Sequence, residues 1–432
     1  MLTGPDDRIV LVDAEGCEVT IGDVLTRMEE LRATELDRPL TFLSAGQSLT
    51  PVTDFLALLH LGWPVFLMDA GWTTEQRQRL IDLYRPGLIL PGGPTGTNTP
   101  THPDLAVLLT TSGSTGSPKL VRLAKRNIET NARQIAQSLG LRPDDRGVTA
   151  LPLHYSFGMS VVTSHVLSGS SVLVTDKGLL DQDFFTDVDR CGVTHLPGVP
   201  QSYAILKRLG LPRLPKLRAL MQAGGRLEPA LAAHFAEIMV ERGGEFFVMY
   251  GQTEAAPRMA CLPPARLPEK LGSAGLPMTG GQFAIDDGEV VYSGPNVMMG
   301  YGQTAPDLLL PDTQGDSLHT GDLGYLDDEG FLFLTGRLKR IVKLAGNRVA
   351  LDEIEALAGD LAPVAAVDAG EAGVVLFSEA PEEIHQPARK RLARELRVAV
   401  RLVHVRAIDA LPVLTSGKVD YETLTKVARD EY

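Results

Sequence analysis

Short apolar runs and amphipathic stretches take turns along most of this chain. Arg8–Asp13 reads R-I-V-L-V-D, an apolar run that predicts a strand. Ile21–Leu31 has helical spacing, Pro39–Leu43 is strand-like, Pro51–Leu61 is helical and Pro64–Met68 is strand-like again. The alternation returns at Ser171–Thr175 (strand), Asp181–Cys191 (helix) and Val193–Leu196 (strand). Strands that alternate with helices imply parallel pairing through helical crossovers. After about Gly281 the texture changes to hairpins: Gln282–Tyr292 turns at Asp286-Asp287-Gly288, and Gly324–Leu334 turns at Asp327–Gly330. A second, smaller domain is expected beyond Arg337. It comprises a hairpin, a helix from Leu351, a strand at Gly373–Phe377, a basic helix from Gln386 and a strand at Arg401–Arg406.

Composition narrows the class. A chain of 432 residues, 44% of them hydrophobic, can bury a large core and more than one. The formal charge of -13 argues against nucleic acid or an anionic membrane surface as the main partner. A polyanionic substrate would then need a local positive site. Cys17, Cys191 and Cys261 are scattered with no C-x-x-C pair, so zinc and redox motifs are not indicated. Sparse, odd cysteines suit a reducing cytoplasm. The first residues, M-L-T-G-P-D-D, lack the basic start and apolar core of a signal peptide. The longest apolar stretch, Phe55–Met68, contains His60 and Pro64 and is too short to span a bilayer. A soluble cytoplasmic protein is expected.

The chemistry concentrates first in Leu108–Leu120, L-L-T-T-S-G-S-T-G-S-P-K-L. Glycines let backbone N–H groups turn toward an anion, hydroxyls add donors, and Lys119 supplies countercharge, the needs of a phosphate-gripping loop. It is not the Walker loop, which requires Gly-Lys-Ser/Thr, because Pro118 precedes Lys119 and Leu120 follows. By composition alone such a stretch could be a flexible linker. The string itself resembles the ATP-binding signature of the adenylate-forming enzymes: acyl- and aryl-CoA synthetases, luciferase and peptide-synthetase adenylation domains. Further strings follow in that family's order: L-P-L-H-Y-S-F-G-M (Leu151–Met159), V-T-H-L-P-G-V-P-Q-S-Y (Val193–Tyr203), M-Q-A-G-G-R-L (Met221–Leu227) and Y-G-Q-T-E (Tyr250–Glu254). After them come H-T-G-D-L-G-Y-L (His319–Leu326), T-G-R-L-K-R (Thr335–Arg340) and L-P-V-L-T-S-G-K-V-D (Leu411–Asp420). The resemblance runs from about Arg8 to Leu424.

The resemblance implies an α/β fold. Its large N-terminal AMP-binding domain (residues 1–338) would have parallel and mixed sheets wrapped by helices plus a β-barrel-like subdomain. A small mobile α+β domain (residues 339–432) would carry the catalytic lysine. It implies ATP, Mg2+ and a phosphopantetheine thiol, from CoA or an acyl carrier protein. Thr111, Ser112, Gly113, Ser114, Thr115, Gly116 and Lys119 would hold the departing phosphates. Gly224, Gly225 and Arg226 would lie on the turn that meets adenine, and Tyr250, Gly251 and Gln252 would continue the nucleotide site. Thr253 would touch the α-phosphate, and Glu254 would be the Mg2+ ligand, since Mg2+ takes one or two carboxylates with phosphate oxygens and water. Asp322 suits ribose hydroxyls because a carboxylate accepts from both; Arg337 would contact the same sugar. Asp322 could instead cap a turn, and Glu254 could be a solvated carboxylate. Lys418 would offset the repulsion between the acid's carboxylate and the α-phosphate. Lys339 would be the hinge, and Gly346, Asn347 and Arg348 would line the thiol tunnel.

The acid pocket is assigned to His154, Tyr155, Phe157, Gly158, Val199, Gln222 and Ala223, a mixture of aromatic walls and a few polar groups that fits a small aryl or medium acyl acid. His154 is placed in the pocket and not in proton transfer. No aspartate stands where amino-acid-activating domains commonly hold the α-amine, which disfavours an α-amino acid. Asn347 and Asp352 also depart from the family's habits, which leaves the thiol acceptor open. The basic run Arg389, Lys390, Arg391, Arg394, Arg397, Arg401 and Arg406 is either a solvated helix face or a docking patch for an acidic carrier protein or the phosphates of CoA. The function expected is an ATP-dependent carboxylic acid ligase that forms an acyl-AMP and then a thioester. Transfer of the adenylate to an amine, its simple release, or an inactive scaffold are the alternatives.

Overall fold

The computed structural model describes residues 2–110, 119–345, 347–414 and 417–431, with the backbone alone at 347–348. Two compact units emerge: Met1–Gln282 with Tyr292–Leu318, and Phe283–Val291 with His319–Tyr432.

The first unit is built on parallel strands, as the alternating pattern predicts. Thr41–Ser44 runs parallel to Val65–Met68 and to Leu88–Leu90, and Val65–Met68 runs parallel to Leu105–Thr110. Leu105–Thr110 then pairs antiparallel with Leu120–Ala124, and Gly300–Gly302 pairs antiparallel with Leu120–Ala124 on its other edge. The register Thr110↔Leu120 brings the two ends of the phosphate-loop string side by side. A second group has His195–Gly198, Ala219–Gln222 and Glu245–Gly251 in parallel, followed by antiparallel Arg258–Leu262 and Ser273–Pro277. A third, four-stranded sheet joins Glu18–Thr20, Ile9–Val12, Ser171–Leu173 and Arg146–Val148.

Local chemistry explains the element ends. Thr20 caps the helix Ile21–Arg32, accepting from Asp23 N while Asp23 accepts from the Thr20 N–H. The helices Leu49–Leu61, Lys125–Leu139 and Ser156–Ser168 stop at Gly62, Gly140 and Gly169, all left-handed. Ser156–Ser168 buries every residue from Ser156 to Val166, so it is a core helix with no solvent stripe. Gly158 allows this: a Cβ there would lie 2.2 Å from the Pro152 carbonyl oxygen. No helix among the described residues is long and apolar enough to cross a membrane.

The second unit opens with antiparallel strands, among them Ser317–Leu326 paired with Leu332–Arg337. Ile341–Leu344 and Asn347–Ala350 form a hairpin that runs into the helix Leu351–Leu357. Val374–Ser378 lies between antiparallel Val364–Asp368 and parallel Val403–Ala407. Side chains alternate across this sheet. Ala366, Val374, Leu376 and Val403 pack with Ile354 and Leu392, while Ala365, Val367, Val375 and Phe377 pack with Leu424 and Ala428 of the helix Tyr421–Glu431. The last strand starts at Val403 instead of Arg401, because residues 400–402 form a 3-10 turn whose Val400 carbonyl accepts from Arg389.

Candidate active site

Two residues from the strings that resemble nucleotide-binding motifs, Lys119 and Glu254, meet at Tyr301. Thr111, Ser112, Gly113, Ser114, Thr115 and Gly116 lie outside the described residues, but Lys119, three positions after Gly116, is described, and its Nζ is 3.4 Å from the centroid of the Tyr301 ring. The Tyr301 hydroxyl donates to Glu254 Oε1 at 3.0 Å. Burial and the Glu254 carboxylate together push the phenol pKa up, so Tyr301 stays a donor. The strand beneath is fixed by Arg122, fully buried, whose guanidinium donates to the carbonyls of Met299, Leu310 and Pro311.

The segment Tyr250–Glu254 is equally constrained. At Gly251 a Cβ would sit 1.7 Å from the Pro257 carbonyl oxygen, so no other residue fits. The Glu254 carbonyl accepts from Met298 N at 2.9 Å, and the Ala255 carbonyl accepts from Asn296 Nδ2 at 2.6 Å. Glu254 offers a single carboxylate, and no group of three potential ligands gathers among the described residues. That donor set fits Mg2+, which would draw its remaining ligands from phosphate and water. Thr253 Oγ1 lies 3.1 Å from Ser156 Oγ, at the start of the helix Ser156–Ser168.

That helix start and the carboxyl ends of parallel strands bring together residues expected to line the acid pocket, at the usual location for a ligand in an open α/β sheet. Phe157, Val199 and Ala223 pack in one cluster with Met221, Met249 and Met278, with Tyr155 and Cys261 at its margin. Gly224 has φ +85° and stands against the Tyr155 hydroxyl, which a Cβ would approach to 2.4 Å. Gln222 is buried, and its Nε2 donates to the Gly225 carbonyl at 2.8 Å, closing the turn that presents Gly224. Arg226 is exposed. His154 Nε2 lies 3.5 Å from Asp69 Oδ2, and its Nδ1 is buried without a hydrogen-bond partner among the described residues. Burial lowers its pKa, with Asp69 opposing, so the ring is neutral near pH 7.

In the second unit Asp322 faces Arg337 across the strand pair, Oδ1 to Nε 2.8 Å. Lys339 is exposed on the single 3-10 turn Leu338–Arg340. Its neighbour Arg340 pairs with Asp352 at 3.0 Å and Glu355 at 2.7 Å and stacks on Tyr421 at 3.8 Å. Gly346 lies outside the described residues, and Asn347 and Arg348 pair with Leu344 and Lys343 through the backbone. Lys418 sits on a pinned turn: its carbonyl accepts from Leu414 N at 2.8 Å, and Asp420, two residues on, accepts from Thr423 N at the start of the next helix.

Several residues escape a reading of motifs. Tyr301, Asp69 and Arg258 are distant in sequence from the side chains they meet. A tyrosine between Gly300 and Gly302 was the one available signal. Ser156 lies inside a recognised string, yet its contact with Thr253 spans 97 positions.

Comparison with known proteins places this geometry. A family model described as AMP-binding enzyme matches residues 64–302. The chain is 36% identical over 266 residues to 2-succinylbenzoate–CoA ligase of Bacillus pumilus (strain SAFR-032), covering 58% of this chain and 53% of that protein. It is 33% identical over 282 residues to a probable CoA ligase of Humulus lupulus, covering 60% and 52%. The chain thus spans about half the length of the curated relatives it matches. Among solved structures, o-succinylbenzoate coenzyme A synthetase (MenE) from Bacillus subtilis in complex with AMP superposes with a TM-score of 0.78 at 25% identity, covering 97% of this chain and 95% of that one. ATP-bound MatB from Rhodopseudomonas palustris superposes with 0.80 at 21% identity, covering 99% and 97%. The α/β fold with mixed sheets is therefore the one these structures share.

Proposed function

The chain belongs to the AMP-binding enzyme family, and from that premise we propose that it is an ATP-dependent carboxylic acid ligase. An acid carboxylate oxygen attacks the α-phosphorus of ATP and pyrophosphate leaves. A phosphopantetheine thiol, as its thiolate, then attacks the acyl carbon, and AMP departs with the electron pair of the broken C–O bond. The acids are aryl or medium acyl acids, in keeping with the CoA ligases that the chain resembles.

One observation carries this reading. A continuous set of contacts runs from Lys119 through Tyr301 to Glu254, and from its neighbour Thr253 to Ser156 on the pocket helix. Phosphate-side and acid-side groups are thereby held in one rigid frame, which in-line attack requires. Glu254 would hold Mg2+, which supplies charge neutralisation on the phosphates. Thr253 orients the α-phosphate, Asp322 and Arg337 hold the ribose, and Lys418 supplies the cation at the reacting oxygens. The Gly224–Arg226 turn meets adenine. Gly346, Asn347 and Arg348 serve the thiol, and Lys339 is the pivot of a mobile segment 339–432.

The acceptor is CoA or an acidic carrier protein. Arg389, Arg391 and Arg406 of the basic run are engaged with carbonyls or carboxylates of their own unit. Lys390, Arg394, Arg397 and Arg401 are exposed, which supports an anionic acceptor. The location proposed is the cytoplasm, where the three free cysteines would stay reduced. The test is product analysis with ATP, Mg2+, an acid panel and either CoA or a carrier protein. AMP, pyrophosphate and acyl thioester in equal amounts are expected. AMP without thioester would favour transfer to an amine or release, and no turnover would favour a scaffold.

A further inference from the structure

Among the described residues Arg258 is a buried cation without a counter-ion. It begins the strand Arg258–Leu262, and its backbone is clamped by two asparagines: its N–H donates to Asn131 Oδ1 at 3.1 Å, and its carbonyl accepts from Asn131 Nδ2 at 2.7 Å and Asn296 Nδ2 at 2.9 Å. The side chain therefore leaves a fixed point. Its guanidinium carbon lies 3.8 Å from the centroid of the Phe157 ring, and the residue is 3% exposed. Among the described residues Nε is buried with no hydrogen-bond partner, and no carboxylate pairs with the guanidinium. The other deeply placed arginines differ: Arg122 donates to three carbonyls, and Arg340 is held by Asp352 and Glu355.

Burial lowers the Arg258 pKa to about 10, which leaves it charged at neutral pH. The nearby Cys261 thiol, pushed up to about 12 by burial, stays neutral and offsets nothing. An uncompensated charge in apolar surroundings is strongly destabilising, so a fold that keeps one has a use for it. The position points to that use. Phe157 meets Tyr155 edge-on with ring centroids 6.3 Å apart, and the Tyr155 hydroxyl stands over Gly224. Ser156, between these two aromatics, touches Thr253. Three consecutive residues thus tie the guanidinium to the acid pocket and the pocket to the nucleotide side.

We propose that Arg258 is a specificity residue that holds a second, non-reacting carboxylate of the acid, so that the preferred substrates are dicarboxylic acids. This rests on the acid-ligase reading. A second carboxylate suits the site better than the reacting one. The reacting carboxylate loses its charge when it becomes a mixed anhydride, which would orphan the buried guanidinium again in every cycle. A spectator carboxylate keeps its charge through both half-reactions, and a guanidinium can hold it with two parallel hydrogen bonds.

The test measures acid-dependent ATP–pyrophosphate exchange with matched pairs: benzoate and phthalate, butyrate and glutarate, 4-oxo-4-phenylbutanoate and its ortho-carboxy derivative. The wild type should favour the diacid of at least one pair by about 100-fold or more in kcat/KM, because rejecting the monoacid leaves the buried cation unpaired. Arg258→Met, close in volume but uncharged, should bring that ratio to within about threefold, and Arg258→Lys should retain part of it. The ratio cancels any general loss from altered folding, which a merely structural arginine would cause for both members of a pair. Melting in the presence of the favoured diacid gives a second readout: Tm should rise for the wild type and stay unmoved for Arg258→Met. A wild-type preference for monoacids, or a diacid ratio that survives Arg258→Met, overturns the proposal. If no acid supports exchange by the wild type, the ligase reading fails, and the diacid-dependent Tm shift alone then decides whether Arg258 binds a carboxylate.

Discussion

Tyr301 holds two partners, its ring facing the Lys119 ammonium and its hydroxyl the Glu254 carboxylate. A hydrogen bond to a charged acceptor contributes about 1.5–3 kcal/mol. Tyr301→Phe keeps the ring and removes the donor, so kcat/KM for ATP should fall by about tenfold or more. Steady-state kinetics at several Mg2+ concentrations check this, and wild-type values throughout would remove Tyr301 from the site. At this scale the sequence offers candidates where residue types stand together. Lys119, Thr253, Glu254, Asp322 and Lys418 sit in strings whose order repeats a family's. It was silent on Tyr301, Asp69 and Arg258, because pairing across dozens of positions depends on strand register and not on neighbours. The Tyr301–Glu254 pair spans 47 positions.

The helix Ser156–Ser168 is the element on which the proposed acid pocket depends, and Gly158 lets it approach the chain at Pro152 and Leu151. A Cβ at Gly158 would lie 2.2 Å from the Pro152 carbonyl oxygen and 2.6 Å from that of Leu151, backbone atoms that cannot rotate away. Gly158→Ala should cost about 1–3 kcal/mol of stability through overpacking, read as a lower urea midpoint, and should raise the acid KM. An unchanged midpoint would show that the helix has room. The same helix shows why elements read well and their ends less so. Its period is hidden, since nearly every residue is buried, whereas the strands Ile9–Val12 and Val65–Met68 fall within a residue or so of their apolar runs. The strand expected from Arg401 begins later because Arg389, on the preceding helix, organises the turn before it.

For the whole molecule, pH dependence follows from two buried imidazoles. His165 and His195 stack edge-on at 5.4 Å, and burial lowers their pKa values to about 4 and about 2, with mutual repulsion and Arg218 adding to the second. An unfolded histidine titrates near about 6.5. Below that pH the unfolded chain binds protons that the folded chain refuses, so stability is full above pH 6.5 and declines as pH falls. The decline is at most about 1.4 kcal/mol per pH unit for each histidine. Urea unfolding at pH 7.5, 6.5 and 5.5 should show this slope, and a His165→Asn, His195→Asn variant should flatten it; equal slopes would assign the acid sensitivity elsewhere. The proposed pivot also acts at this scale. Lys339→Pro fixes φ at that position and should slow one half-reaction more than the other, while wild-type rates in both would dismiss the pivot. The function proposed for the whole chain rests on activation of an acid by ATP. The most direct measurement is pyrophosphate exchange into ATP across a panel of aryl and acyl acids, for the wild type and Lys418→Ala. Exchange should require an acid and fall by about 100-fold or more when the lysine is removed; exchange with no acid of the panel, or exchange indifferent to Lys418, would overturn the ligase reading.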